Sequence, residues 1–204
     1  MPVKRVLAIG AHPDDIELGC GATLAKLVSK GVHVRALILT AGDAGTRPGH
    51  GRCDETASAL RLLGITDIVQ EHLPDTCLDS HQSRVTAAIQ AQCDVLRPDR
   101  VYTMFERDRH QDHRAVFQAS IVACRRVPQV LSYEAPSSWP DFAPVVFESV
   151  DAFVDAKVAA LSLHHSQAHR DYMCPEQVRC RLEFRGGQIG LGPCEGFMPY
   201  KVVL

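Results

Sequence analysis

Short apolar runs alternate with helix-period segments along the first 135 residues, and that alternation restricts the chain to an α/β fold. Residues 6–9, 34–40, 68–69, 100–104 and 130–133 read as strands. The segments between them, 16–30, 53–63, 84–96 and 115–125, carry apolar residues at helical spacing. Gly31 and Gly64 follow the first two helices as left-handed caps would, and Pro98 lies just beyond the third. The strand runs are continuous rather than alternating, as in strands buried on both faces, so the sheet is expected to be mostly parallel with helices on each side. Residues 41–51, with four glycines and Pro48, read as a loop. Beyond residue 135 the pattern changes. Pro136, Pro140 and Pro144 punctuate a loop, 145–147 suggest an edge strand, and 151–167 read as one long helix. The last 30 residues fit no single pattern. Nothing resembles a linker or a repeat, so residues 1–204 are expected to form one domain, long enough to bury about 70% of its extended surface.

Composition narrows the function classes. An apolar fraction of 46% with 23% charged residues excludes a disordered or coiled-coil chain. Lys and Arg number 22 against 24 Asp and Glu, so no cationic excess is available for a nucleic-acid backbone and no nucleic-acid partner is expected. No apolar run reaches the roughly 18 residues of a membrane span, and the apolar stretch at the start is too short for a signal peptide, so a cytoplasmic location is expected. The eight cysteines are dispersed without a C-x-x-C pair. They are expected to be free thiols, buried or half-buried, and not a structural zinc site.

Two clusters carry chemistry. Ala11-His12-Pro13-Asp14-Asp15-Ile16-Glu17 follows the first strand, and Asp108-Arg109-His110-Gln111-Asp112-His113 follows the fourth. Loops at the carboxyl ends of parallel strands are where open α/β sheets bind ligands. A capping reading needs only one of Asp14 and Asp15, with Glu17 completing a capping box, and leaves His12 unexplained. Together the two loops offer two imidazoles and one carboxylate to a catalytic Zn²⁺ with an open position for water. The remaining carboxylate is then free to take a proton from that water. A non-haem Fe(II) oxygenase would instead use His12, Asp14 and His113. Gly19-Cys20-Gly21 resembles part of a dinucleotide fingerprint, but it falls inside a predicted helix and reads better as close packing.

These residues resemble the PIG-L/LmbE family of metal-dependent N-deacetylases. The likeness is carried by Ala11-His12-Pro13-Asp14-Asp15-x-Glu17, Thr40-x-Gly42, Arg52-x-x-Glu55 and Asp108-x-His110-x-Asp112-His113. It continues in Lys157-x-x-Ala160-Leu161-x-x-x-His165-Ser166-Gln167 and Glu195-x-Phe197. The resemblance implies a Rossmann-like three-layer sandwich with a metal site at the carboxyl ends of its strands. It implies hydrolysis of an acyl, typically acetyl, group from an amide nitrogen of an amino-sugar substrate. N-acyl thiol conjugates are the alternative substrate class, and homo-oligomers are compatible with the sequence. Carried over by position, His12, Asp15 and His113 match the ligands of Zn²⁺, with Fe²⁺ as the alternative ion. Asp14 matches the general base. His110 matches a residue that acts protonated, as donor to the oxyanion or acid to the leaving amine. Arg52 and Asp75 match polar positions of the sugar pocket, and Asp112 is expected to orient a histidine from behind. Gln111 stands where many members have proline. Both carboxylates and both histidines are present, which argues against a relative that binds without catalysis.

Overall fold

The computed structural model describes residues 2–45 and 52–203, so the part of the glycine-rich loop beyond Gly45 lies outside the described residues. Arg5–Gly10 forms β1, and its Val6, Leu7, Ala8 and Ile9 are fully buried. The chain continues through α1 (Asp15–Ser29), β2 (His33–Thr40), α2 (Arg52–Leu62), β3 (Asp67–Leu73) and α3 (Gln82–Leu96). Then follow β4 (Arg100–Thr103), α4 (Gln111–Ala123), β5 (Gln129–Tyr133), β6 (Val146–Ser149), α5 (Val154–Leu161), α6 (Pro175–Gly187) and β7 (Cys194–Val202). One seven-stranded sheet runs in the order β3-β2-β1-β4-β5-β7-β6. Its first five strands are parallel, and β7 is antiparallel to both β5 and β6. The sheet is therefore mostly parallel, as the apolar runs predict.

The strand order places the site. From β1 the chain steps outward to β2 and β3, then returns to lay β4 on the other side of β1. Right-handed crossovers then put α1 and α2 on one face and α3 and α4 on the other. The contacts agree, with α1, α2 and α5 packed together and α3 against α4. Connections leaving β1 and β4 diverge to opposite faces and open a crevice between them. Both sequence clusters emerge there.

α1 is buried along almost its whole length and is interrupted at Cys20, where φ is −145° and ψ 15°. A Cβ on Gly19 would lie 2.0 Å from the Tyr133 ring, so only glycine lets helix and ring approach this closely. The interruption exposes backbone groups that buried side chains then satisfy. The Lys157 ammonium donates to the Leu18 carbonyl at 2.6 Å, and Glu195 accepts from Ala22 N–H (3.1 Å) and Thr23 N–H (2.7 Å). Lys157 and Glu195 themselves pair at 2.6 Å. The glycines at 19–21 thus serve packing. Gly19→Ala is expected to destabilise by roughly 1–3 kcal/mol, the usual range for overpacking. A denaturant midpoint equal to wild type would contradict that reading of the helix break.

Two expectations are corrected, the long helix and the burial of every cysteine. The helix expected over 151–167 is a 3₁₀ turn, α5, and a second 3₁₀ turn at His165–Gln167. It stops at Leu161 because the chain turns inward, bringing His164 to Glu17 at 3.0 Å and Ser166 Oγ to Glu55 at 2.6 Å. The capping reading set aside above is absent as well: Asp14 makes no side-chain cap bond, and Glu17 accepts from Thr56 Oγ1. All eight cysteines are free, but Cys77 and Cys180 are exposed rather than half-buried. Among the described residues no helix is long and apolar enough to cross a membrane.

Candidate active site

The turn after β1 is held from two sides. Thr40 N–H and Oγ1 donate to the Ala11 carbonyl at 3.0 and 2.9 Å. The buried Arg52 guanidinium donates to the Gly42 carbonyl (2.9 Å), the Pro13 carbonyl (2.7 Å) and Asp14 Oδ2 (3.2 Å). Gly42, at φ 69°, makes room for it, since a Cβ there would meet Arg52 Nη1 at 2.4 Å. Asp14 is thereby kept at φ 98°, a left-handed conformation that costs about 1–3 kcal/mol for a residue with a side chain. Such strain aims Asp14 at the crevice, next to Asp15 at the head of α1.

Asp15 lies between two imidazoles. Its Oδ2 is 3.5 Å from His12 Nδ1, and its Oδ1 is 3.4 Å from His113 Nε2. The outward nitrogens are held by buried carboxylates. His12 Nε2 is 3.2 Å from Asp112 Oδ2 and 3.1 Å from Asp75 Oδ1. His113 Nδ1 is 3.1 Å from Asp108 Oδ2 and 3.2 Å from Ser137 Oγ. Asp112 is fixed by Thr76 N–H (2.8 Å) and Leu78 N–H (3.0 Å), and Asp108 by His110 N–H (2.8 Å). Histidines that ligate metals characteristically have the other ring nitrogen held by a carboxylate in this way.

The donor set fits a small divalent cation. Four ligands at 2.0–2.2 Å in a tetrahedron stand about 3.4 Å apart, close to the 3.4 and 3.5 Å spacings around Asp15. Two other three-donor groups have ligating atoms all within 4.8 Å of one another, His12 with His110 and His113 and His12 with Asp75 and Asp112, whereas Asp15 meets the two rings through different oxygens. Electrostatics agree. Burial alone would depress His12, yet Asp112, Asp15 and Asp75 raise its pKa well above the usual value. Against the same burial, Asp15 and Asp108 push His113 up to about 9. Asp15 is held well below the carboxylate range by the two imidazoles despite its burial, and Asp75 is held at about 2 by His12. The pocket thus concentrates negative charge around positive groups.

Asp14 behaves differently. Burial and the neighbouring Asp15 raise it to about 7, against the opposing pull of Arg52 and His164. Two carboxylates adjacent in sequence are therefore driven to opposite protonation behaviour by their surroundings.

His110 caps α4. Its Nδ1 accepts from Asp112 N–H at 3.2 Å, and its ring stacks on His113 at a centroid distance of 4.7 Å. Burial and the charges of His12 and His113 lower its pKa. In a neutral His110 ring that hydrogen bond to Nδ1 leaves the proton on Nε2.

All eight residues singled out in the sequence gather at this crevice. A cavity of about 410 Å³ is bordered by His12, Asp14, Asp15, His110 and His113, with Arg52 and Asp75 beside them and Gln167, Arg170 and Tyr172 on the far wall. Arg52 and Asp75 line the pocket and also brace its loops: Asp75 accepts from Ala44 N–H at 2.8 Å. Two contributors escaped sequence reading. Asp108 orients His113, signalled only by its place in Asp108-x-His110-x-Asp112-His113. His164 is buried against Glu17, whereas His165, the residue matched in the sequence, is exposed.

Comparison with known proteins supports the same reading. The family model PIG-L, GlcNAc-PI de-N-acetylase, matches residues 7–124. The uncharacterized deacetylase YaiS of Escherichia coli K12 is 45% identical over 172 residues, covering 80% of this chain and 91% of that protein. The diacetylchitobiose deacetylase of Thermococcus kodakarensis is 28% identical over 195 residues, covering 83% of this chain and 72% of that protein. Among solved structures, the conserved protein TT1542 of Thermus thermophilus superposes with a TM-score of 0.88 at 29% identity, covering 100% of this chain and 97% of that one. The chain belongs to the PIG-L family and is a deacetylase, a hydrolase of N-acetyl amide bonds.

Proposed function

We propose that this protein is a zinc-dependent N-deacetylase of acetylated amino sugars, with His12, Asp15 and His113 holding the ion. The observation that carries the reading is the double clamp: each imidazole turns one nitrogen to Asp15 and has the other held by a buried aspartate. Asp15, not Asp14, lies between the rings, which favours the hydrolase ligand set over the oxygenase one. Imidazole and carboxylate donors suit Zn²⁺, with Fe²⁺ as the alternative ion. When bound, such an ion polarises the amide carbonyl and acidifies water at the site.

The remaining steps fall to side chains of this chain. Asp14, buried and poised near pH 7, accepts the proton of the attacking water and can return it to the leaving amine. His110 presents Nε2–H as the donor to the oxygen that gains charge. Arg52 keeps Asp14 aimed, and Asp108 and Asp112 keep the rings in their tautomers. The amino-sugar assignment follows the name of the diacetylchitobiose deacetylase relative and a cavity within the size range of small-ligand pockets.

Free amine should be released from N,N'-diacetylchitobiose by zinc-restored protein and not by chelator-treated protein. Release confined to N-acyl thiol conjugates in a parallel panel would reassign the substrate, and release unaffected by chelation would overturn the metal role. His110→Ala should retain its zinc and lose about 10² in kcat with little change in KM, the cost of one oxyanion donor. Loss of zinc in that variant would make His110 a ligand instead.

A further inference from the structure

Away from this crevice, the Sγ atoms of Cys93 and Cys124 lie 3.6 Å apart, and both side chains are buried. Cys93 belongs to the last turn of α3, and Cys124 closes α4 at the end opposite to the one that begins beside His110 and His113. We propose that Cys93 and Cys124 form a peroxide-reactive modification site, at which a hydroperoxide is reduced and the two thiols are joined as a disulfide.

Geometry assigns the order of events. Cys93 borders a cavity of about 670 Å³ at the carboxyl ends of α3 and α4, whereas Cys124 sits behind it. Arg97, Arg125 and Arg126 border the same cavity, and Asp94 is the carboxylate facing them. Gln90 Nε2 donates to Asp94 at 2.9 Å, and Arg125 donates to Gln90 Oε1 at 2.8 Å. A small polar oxidant reaching this cavity meets Cys93 first. The contact between the two sulfurs polarises them in the same sense. The bond with Cys124 lowers the Cys93 pKa, against burial and Asp94, and the same contact raises Cys124. A disulfide needs an S–S distance of about 2.05 Å, so the sulfurs must close by about 1.5 Å.

The chemistry balances with the hydroperoxide as oxidant. The Cys93 thiol loses its proton to solvent and attacks the terminal oxygen as the thiolate, the O–O bond breaks, and the leaving oxygen takes up a proton from solvent to depart as alcohol or water. Cys93 is then a sulfenic acid. The Cys124 sulfur attacks it, its proton passes to the departing hydroxide, and water is released. Two thiols lose two electrons and the peroxide gains them.

Treatment of the metal-loaded enzyme with excess hydrogen peroxide, alkylation of the remaining thiols and peptide mass mapping test this. The expected product is a Cys93–Cys124 cross-linked peptide pair, lighter by two hydrogens and reopened by a dithiol reductant. Cys124→Ser should stop at the sulfenic acid, trapped on Cys93 by a 1,3-dione reagent, and Cys93→Ser should lose the cross-link completely. The proposal is overturned if both residues remain alkylatable while exposed Cys77 and Cys180 oxidise. It is equally overturned if Cys93 joins another cysteine, or reaches the sulfinic acid with Cys124 still free.

Discussion

Replacing Asp14 by asparagine should lower kcat by about 10²–10⁴, the usual contribution of a general base, while leaving the bound metal in place. The substitution keeps the size of the side chain and an oxygen acceptor for Arg52, whose Nη2 lies 3.2 Å from Asp14 Oδ2. It removes only the ability to take a proton. The pH profile separates this role from a positional one. In the wild-type protein Asp14 is raised to about 7 by burial and Asp15, so activity should rise with pH as it ionises. A bound cation favours the carboxylate form and moves that rise below pH 7. In Asp14→Asn the acid limb should vanish along with the rate. A slow variant that keeps the wild-type limb would show that another group supplies the base.

Glu195→Ala should have the greatest effect on stability, for reasons that begin at Gly19. The glycine admits Tyr133, α1 is interrupted beside it at Cys20, and the interruption leaves buried N–H groups at Ala22 and Thr23 for Glu195 to satisfy. Removing the carboxylate orphans both, and it leaves the Lys157 ammonium buried beside a carbonyl alone. Breaking a buried pair from one side typically costs about 3–5 kcal/mol. For a chain of this size that lowers Tm by on the order of 10 °C. Lys157→Met should cost less, because Glu195 keeps its two backbone donors. Equal or reversed losses would mean that the ion pair, and not repair of the broken helix, is what the two residues provide.

The same residues explain which parts of the molecule could be read from the chain. β1 and the turn after it announce themselves locally: an apolar run ends in a glycine and three polar side chains follow. Asp108-x-His110-x-Asp112-His113 likewise packs its information into six positions. The strand order then needs only the rule for crossovers to bring the two clusters together. What escaped reading depends on partners far along the chain. Glu17 and His164 are 147 residues apart, and Lys157 reaches the Leu18 carbonyl across 139. Nothing near residue 164 signals that the chain leaves its helix there to meet Glu17. The break at Cys20 is equally silent, and the Tyr133 ring packed on Gly19 beside it comes from β5. β7 escaped for a different reason. It is an antiparallel strand carrying Gly196 and Pro199, both poor strand formers, and its pairing with β5 and β6 decides its conformation. His110 shows what spacing leaves open: it places the ring beside His113, but only the Asp112 N–H on its Nδ1 tells which nitrogen of a neutral ring carries the proton.

The position of the metal decides the account. Anomalous scattering at the zinc edge, measured on crystals of the zinc-loaded protein, should give one peak per chain, enclosed by His12 Nδ1, the Asp15 carboxylate and His113 Nε2. Asp14 should lie beside the peak without joining it. A peak among His12 Nε2, Asp75 and Asp112, the other cluster within reach of an ion, would contradict the assignment, as would a zinc-loaded crystal with no peak between His12 and His113.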